Sequence, residues 1–374
     1  MNLSYWEKKI FFKNIDVAII GSGIVGLNAA FNLKKNNPSL KIIVLERGIL
    51  PSGASTKNAG FTCFGSPTEL LEDLKTISEN ELFKLVEKRY LGLKRLRNNL
   101  GDSFIDYHNW GGYELFENEA IYTECSEKID YLNKMMAVIT GKKELYVKAD
   151  HLIKEFEFEQ IKHLILNKGE GQIDTGKMML RLLSKVQQLG VIILNGINIT
   201  SLNDNEIQVN NEWNISAKKI IVATNGFAQQ LLGNNLEVTP ARAQVIITSP
   251  IENLTIKGTF HFEKGYYYFR NIENRILLGG GRNLDLKGET TTEFGLTEII
   301  QNRLEEILSG IILPHKKFTI EHRWSGIMGL GNDKMPIVKK LSQYTYCAVK
   351  MGGMGIAIGS LIGEEVATLV GNDL

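Results

Sequence analysis

Cysteine is scarce in this chain: Cys63, Cys125 and Cys347 are the only three in 374 residues, and they stand far apart. An odd number of scattered thiols excludes a disulfide framework or a cysteine zinc cluster. Each reads as a small buried hydrophobe in a reducing compartment, and no metal is expected. A charge surplus is missing as well. Lys plus Arg total 43 and Asp plus Glu 42, a formal charge of +1, which argues against the basic face of a nucleic-acid binder. Long apolar runs are also absent. The stretch DVAIIGSGIVGL is too short and too rich in glycine to span a bilayer, and the opening MNLSYWEKKIFF carries charges where a secretory signal needs an apolar core. A soluble, cytoplasmic protein without a membrane span is expected. There are only seven prolines, and neither an internal repeat nor a low-complexity linker.

What is present is ordinary globular material, 43% apolar and 23% charged, in a chain long enough for two compact units. Residues 16–20 form a continuous apolar run that reads as a buried strand. A glycine turn and a helix to about residue 35 follow, then KIIVL (41–45) as a second strand. That βαβ order implies a parallel sheet. Residues 69–100 have helical spacing, and YHNWGGYELF (107–116) suggests short strands. IDTGKMMLRLLSKVQQLG, from residue 173, has an Asp to cap a helix and a Gly to end it, with strands at 191–194 and through KKIIVATNG (218–226). From about 240 the texture turns β-branched and aromatic: ARAQVIITS, TFHFEKGYYYFRN and RILLGGGRN read as three antiparallel strands. A helix near 295–309 comes next. The stretch RWSGIMGLGNDKMPI (323–337) looks like neither a helix nor a clean strand, and the chain closes as strand, glycine turn and helix.

Between the first strand and its helix lies GSGIVG. Gly21 permits a tight turn, Gly23 lets a pyrophosphate approach the backbone, and Gly26 lets helix and strand pack closely. Glu46 ends the second strand 20 residues after Gly26, where a carboxylate accepts from ribose hydroxyls and repels a 2′-phosphate. The fingerprint therefore selects a dinucleotide, with NAD and FAD both open and NADP disfavoured. PSGASTKNAGFTCFG (51–65) follows, a loop of small residues able to wind around something flat.

Taken with VAIIGSGIVGL, VLERG, IDTGKMMLRLL, IIVATNG, WSGIMGLGNDKMPIV and GGMGIAIGSLIGEEVA, that loop resembles the FAD-dependent oxidoreductases of the D-amino acid oxidase superfamily. The branch is the one containing glycine oxidase, sarcosine oxidase and gamma-glutamylputrescine oxidase, and the motifs cover most of the chain in family order. The resemblance implies an α/β fold: a Rossmann-like FAD-binding domain with a parallel sheet, and an antiparallel α+β substrate domain inserted in it. Residues 14–90, 150–235 and 322–374 would form the first domain, 91–149 and 236–321 the second. It also implies the cofactor contacts. Gly21, Gly23, Ile24, Val25 and Gly26 would hold the pyrophosphate, with Glu46 and Arg47 at the end of the second strand. Gly53, Ala54, Ser55, Asn58, Ala59, Gly60 and Phe61 would lie along the isoalloxazine, and Thr224, Asn225 and Gly226 near the adenine-side strands. Gly326, Met328 and Asp333 would line the flavin site, and Gly352, Gly353, Met354, Gly355 and Ile356 would set a helix N-terminus at the pyrimidine carbonyl. A positive helix end stabilises the negative charge that collects there on reduction. Asn58 stands where some members carry a tethering His, and 324–337 holds no Cys, so non-covalent FAD is expected.

On the substrate side, glycine oxidase-like sequences place carboxylate-binding arginines where this chain has Met328 and Gly353. That departure points to an amine oxidase of the gamma-glutamylputrescine oxidase kind, with Met328, Met351 and Met354 as an apolar wall or as ordinary core filling. Arg242, Arg270, Arg282 and Arg323 remain as relocated carboxylate anchors, which would make the enzyme an amino acid oxidase or dehydrogenase. Tyr266 and Tyr268 share a strand face, and one or the other is expected to point into the substrate pocket, with ordinary cross-strand packing as the alternative, whereas His261 is read as a structural or surface His rather than a base. The reaction expected is hydride transfer from a C–N carbon of a small amine to flavin N5, then hydrolysis of the imine to an aldehyde. Dioxygen or another acceptor would reoxidise the flavin. Lys57, ahead of Lys264 and Lys350, is expected to supply the positive charge that favours oxygen. A flavin-binding redox sensor without turnover stays open as an alternative.

Overall fold

IDVAII is apolar at five of its six positions, so a strand built from it has to be covered on both faces. A computed structural model describes residues 2–233 and 236–374 and makes Ile15–Ile20 that strand. It runs parallel to Ile42–Glu46 on one side and to Trp213–Val222 on the other. Ile192–Asn195 and Thr345–Val349 extend the parallel sheet at its two ends, and Ile337–Lys340 adds an antiparallel edge. The glycine turn after Ile20, Glu46, the turn after Val222 and the turn after Val349 all lie at carboxyl ends of these strands. That is where an open parallel sheet binds its ligand.

Helices Ile24–Asn36 and Gly355–Gly371 both start at this rim and pack side by side on one face of the sheet. Their closeness depends on missing side chains: a Cβ on Gly363 would sit 2.5 Å from Asn28 Cβ and 2.8 Å from the Val25 carbonyl.

A second sheet of eight strands stands over the first, ordered in space as 320–330, 239–248, 275–280, 267–272, 259–262, 112–116, 163–167 and 146–148. Three sequence readings change here. RWSGIMGL is the greater part of an 11-residue strand, Ile320–Leu330, paired along its length with Thr239–Thr248. TFHFEKGYYYFRN is a hairpin rather than one strand. Thr259–Phe262 and Tyr267–Ile272 are joined by a turn in which Glu263, Lys264 and Gly265 all have positive φ. The sheet is also mixed, because Thr259–Phe262 runs parallel to Gly112–Phe116. Strands 163–167 and 320–330 belong to it, although the first lies wholly and the second mostly within stretches expected in the cofactor domain. The domain boundary expected at residue 235 falls outside the described residues.

Phe260, Phe262, Tyr267 and Phe269 point into one core with helix Glu298–Ile307. The opposite face, carrying His261 and Tyr268, looks toward the glycine rim. Among the described residues no helix is long and apolar enough to cross a membrane.

Candidate active site

The rim of the first sheet and the polar face of the second enclose a cavity of about 640 Å³. At one end Glu46, 6% exposed, accepts hydrogen bonds from Ser22 N (3.1 Å) and Oγ (2.7 Å) and from Gly48 N (3.0 Å). This fixes the carboxylate beside the glycine turn. Gly26 lies under that turn: a Cβ there would be 2.0 Å from the Gly21 carbonyl. Thr224 Oγ1 lines the cavity, buried, with no hydrogen-bond partner among the described residues.

Further in, the loop at 53–61 forms a floor. Asn58 ties it down, donating to Ala54 O and Ser55 O and accepting from Gly60 N at 2.8 Å. Trp324 Nε1 donates to Lys57 O at 3.0 Å, which joins the loop to strand 320–330. Across from it the helix at Gly355–Gly371 opens with no side-chain cap, leaving its first N–H groups facing the cavity. A cavity with a carboxylate at a glycine turn, a flat floor of small residues and a bare helix end fits an extended dinucleotide carrying a flat ring.

All the residues expected to touch the cofactor line this cavity except Gly26 and Gly226, which lie behind it. A Cβ on Gly226 would meet the Met328 carbonyl at 2.4 Å. Lys57, Tyr266, Tyr268 and Met328 line it too, although Tyr266 lies in the hairpin turn before strand Tyr267–Ile272 and so does not share a strand face with Tyr268. Lys57 Nζ sits 5.2 Å from the Phe294 ring, and Phe294 neighbours Phe227, which carries the Arg47 guanidinium at 3.8 Å. That arrangement ties Lys57 to the Arg47 end of the cavity. Lys350 is 4% exposed and locked to Asp333 at 3.0 Å, and Lys264 pairs with Glu72 at 2.8 Å.

The hairpin places Tyr268 edge-on to Phe61, with centroids 5.8 Å apart, and burial pushes its phenol up to about 12. Beside it His261, read in sequence as structural, lines the cavity with its Nε2 2.6 Å from Glu170 Oε1. Burial alone would lower this imidazole, but Glu170, Glu114 and Glu69 outweigh burial and raise it to about 9. Cys63 is close enough that its Sγ and the His261 and Glu170 atoms lie within 4.8 Å of one another. The His–Glu distance is that of a charged hydrogen bond, shorter than the roughly 3.3 Å between two ligands of one zinc. Glu69 also reaches the wall. Burial would raise it, yet Arg89 (3.2 Å) and Lys334 (3.0 Å) hold it down at about 2.

The four arginines offered as carboxylate anchors separate cleanly. Arg242 grips buried Glu289 at 2.7 Å, and Arg323 is held by Gln301 and Glu305, each at 2.7 Å. Arg270, 5% exposed, also lacks a hydrogen bond or ion pair among the described residues, its Nε included, but it lies off the cavity wall. Arg282 lines the cavity, and its guanidinium has neither a hydrogen bond nor an ion pair among the described residues.

The model of the family described as "FAD dependent oxidoreductase" matches residues 16–369. A probable oxidoreductase OrdL of Haemophilus influenzae is 21% identical, covering 96% of this chain and 84% of that protein. Glycine oxidase of Geobacillus kaustophilus is 21% identical, over 95% of this chain and 92% of that one. Glycine oxidase of Bacillus cereus superposes with a TM-score of 0.76 at 18% identity, covering 96% of each chain. With a family match over nearly its whole length, and a cavity shaped for that cofactor, the chain belongs to the FAD-dependent oxidoreductases.

Proposed function

We propose that this chain oxidises the C–N bond of a small amine that also bears a carboxylate, and that Arg282 is the carboxylate anchor. The observation that carries this reading is an arginine on the cavity wall with none of its donors engaged. A planar fork left open toward a cavity suits both oxygens of a carboxylate. The similar glycine oxidases act, by their names, on an amino acid, which supports the same class. Of the two expectations raised by the sequence, the relocated anchor is thus favoured over a substrate lacking a carboxylate. The alkylamine reading keeps one support: Met328, Met351 and Met354 all line the cavity and would suit a polymethylene chain.

FAD, when bound, supplies the acceptor for the two electrons of the substrate C–H bond, with dioxygen as its reoxidant in this proposal. The protein supplies alignment. Arg282 fixes the carboxylate, Phe61 and Tyr268 close one side of the chamber, and water hydrolyses the released imine. Anaerobic addition of glycine, sarcosine, D- and L-amino acids, putrescine and N-acylputrescine, following loss of the visible flavin band, tests the reading. Bleaching by amino acids is expected. Bleaching by putrescine or N-acylputrescine alone would reject the carboxylate anchor, and no bleaching by any of them would favour a sensor without turnover.

A further inference from the structure

Resting on the reading above, we propose that His261, held by Glu170, is a fixed cation that makes the substrate nitrogen bind as the neutral amine. Hydride leaves readily only from a carbon whose nitrogen has a free lone pair, and aliphatic amines are almost wholly protonated at neutral pH. A base is the usual remedy, but the cavity has none to spare. Among the described residues its wall carries three carboxylates, those of Glu46, Glu69 and Asp333. Glu46 is taken by Ser22, Glu69 by Arg89 and Lys334, and Asp333 by Lys350.

The geometry offers the opposite device. A positive charge close to an ammonium lowers its pKa, and the proton then leaves to solvent with no protein base involved. At a separation near 5 Å and an effective dielectric near 20 the cation alone amounts to roughly 2 pKa units, and roughly 1 remains once Glu170, 2.6 Å behind it, is set against it. His261 is the group placed to act this way. Register pairs it with Tyr268 on one side and Glu114 on the other, and its ring stands edge-on to Phe61 at 5.4 Å. The imidazole reaches the wall, while its partner Glu170, 1% exposed, lies behind it. The cation is therefore nearer the substrate than the carboxylate that sustains it.

Three of the elements packed against His261 sustain its charge. Glu170 comes from the turn before strand Gly171–Gln172, Glu114 from the neighbouring strand, and Glu69 from helix Pro67–Asp73. Arg89 faces Glu69, the un-ionised Cys63 thiol and Tyr268 phenol add no charge, and Thr259 Oγ1 donates to the same Glu170 oxygen at 2.9 Å. The raised His261 value given above agrees with an imidazolium at working pH. Glu170 is a positioning residue here, acting only through His261.

The test uses the FAD-loaded full chain and the amino acid that reduces it fastest. The rate of anaerobic flavin reduction is measured from pH 6 to 10 in wild type, His261→Asn and Glu170→Gln. In His261→Asn the acid limb should move up by about 1–2 pH units, with a rate roughly 10–100-fold lower at pH 7 that recovers near pH 10. In Glu170→Gln the rate should match wild type near pH 6 and fall below it at pH 8, where the unsupported imidazole is neutral. A loss equal at every pH would mean a structural role and overturn the proposal. NMR of histidine-labelled protein gives a second readout that needs no turnover. The resonance absent from His261→Asn should titrate near 9 in wild type and near an ordinary value in Glu170→Gln. An ordinary value in wild type overturns the proposal, whereas failure of every amine to bleach the flavin strikes the functional reading instead.

Discussion

Arg282 is free because of what its neighbours lack. It begins a short turn, Arg282–Leu284, just past strand Arg275–Gly280, and no acid reaches it from the second sheet, while Arg242 one strand over is spent on Glu289. Replacing Arg282 with Met should raise KM for a carboxylate substrate roughly 10–100-fold, the worth of hydrogen bonds to one charged group. Arg282→Lys should recover part of that, since it keeps the charge and loses the fork. Steady-state kinetics with an amino acid and with an alkylamine decide the matter, and equal losses on both would remove Arg282 from carboxylate binding. At this scale the sequence was legible where chemistry is local. The turn at Gly21–Gly26 and the acid Glu46 could be read from spacing because one βαβ unit holds them all. Arg282 cannot be chosen from four candidates in sequence, because what distinguishes it is a place on the cavity wall combined with the absence of a partner, and both depend on distant strands. The place of His261 is hidden in sequence for a related reason. Once TFHFEKGYYYFRN is seen as a hairpin, His261 falls opposite Tyr268 on the cavity face, between two phenylalanines that face the core.

At the scale of elements, the helix pair Ile24–Asn36 and Gly355–Gly371 links stability to the cavity. Ile24 and Val25 line the cavity and also press on Gly359 of the second helix. Gly363→Ala would force a methyl between Asn28 Cβ and the Val25 carbonyl, an overpacking that costs about 1–3 kcal/mol. Thermal melts should show a lower Tm and earlier flavin release than Gly371→Ala, where the added Cβ meets open space. Unchanged melts for Gly363→Ala would mean that the helices can separate without cost. A strand and a glycine turn ahead of each make these two helices readable in sequence, although both are buried on most sides and their own periodicity is weak. Strand Ile320–Leu330 was not readable, because two glycines and an exposed end blur its alternation. It is a strand because Thr239–Thr248 supplies a partner along its whole length, a tertiary cause that no local pattern records.

Across the whole molecule, buried charge joins the elements around the cavity, so the stability of the protein should depend on pH from both sides. Glu69 is depressed to about 2 in the folded chain. Its contribution is present above the ordinary carboxylate value and fades as pH falls through 2. His261 is raised to about 9, so its contribution is complete below the ordinary imidazole value near 6.5 and is lost as pH climbs through 9. Between these limits Lys334 ties the segment after strand Ile320–Leu330 to helix Pro67–Asp73 through Glu69, and Glu170 ties the turn after strand 163–167 to His261. The basic side can be isolated by difference, because Glu170→Gln removes the main cause of the His261 shift while leaving surface lysines and tyrosines as they were. Between pH 7 and 10 the Tm of the wild-type holoenzyme should fall more than that of Glu170→Gln, by on the order of 3 °C. Parallel curves for the two proteins would show that the His261–Glu170 contact adds nothing to stability. A wild-type curve that steepens near pH 9 would show that the cation lining the reaction chamber also stabilises the fold around it.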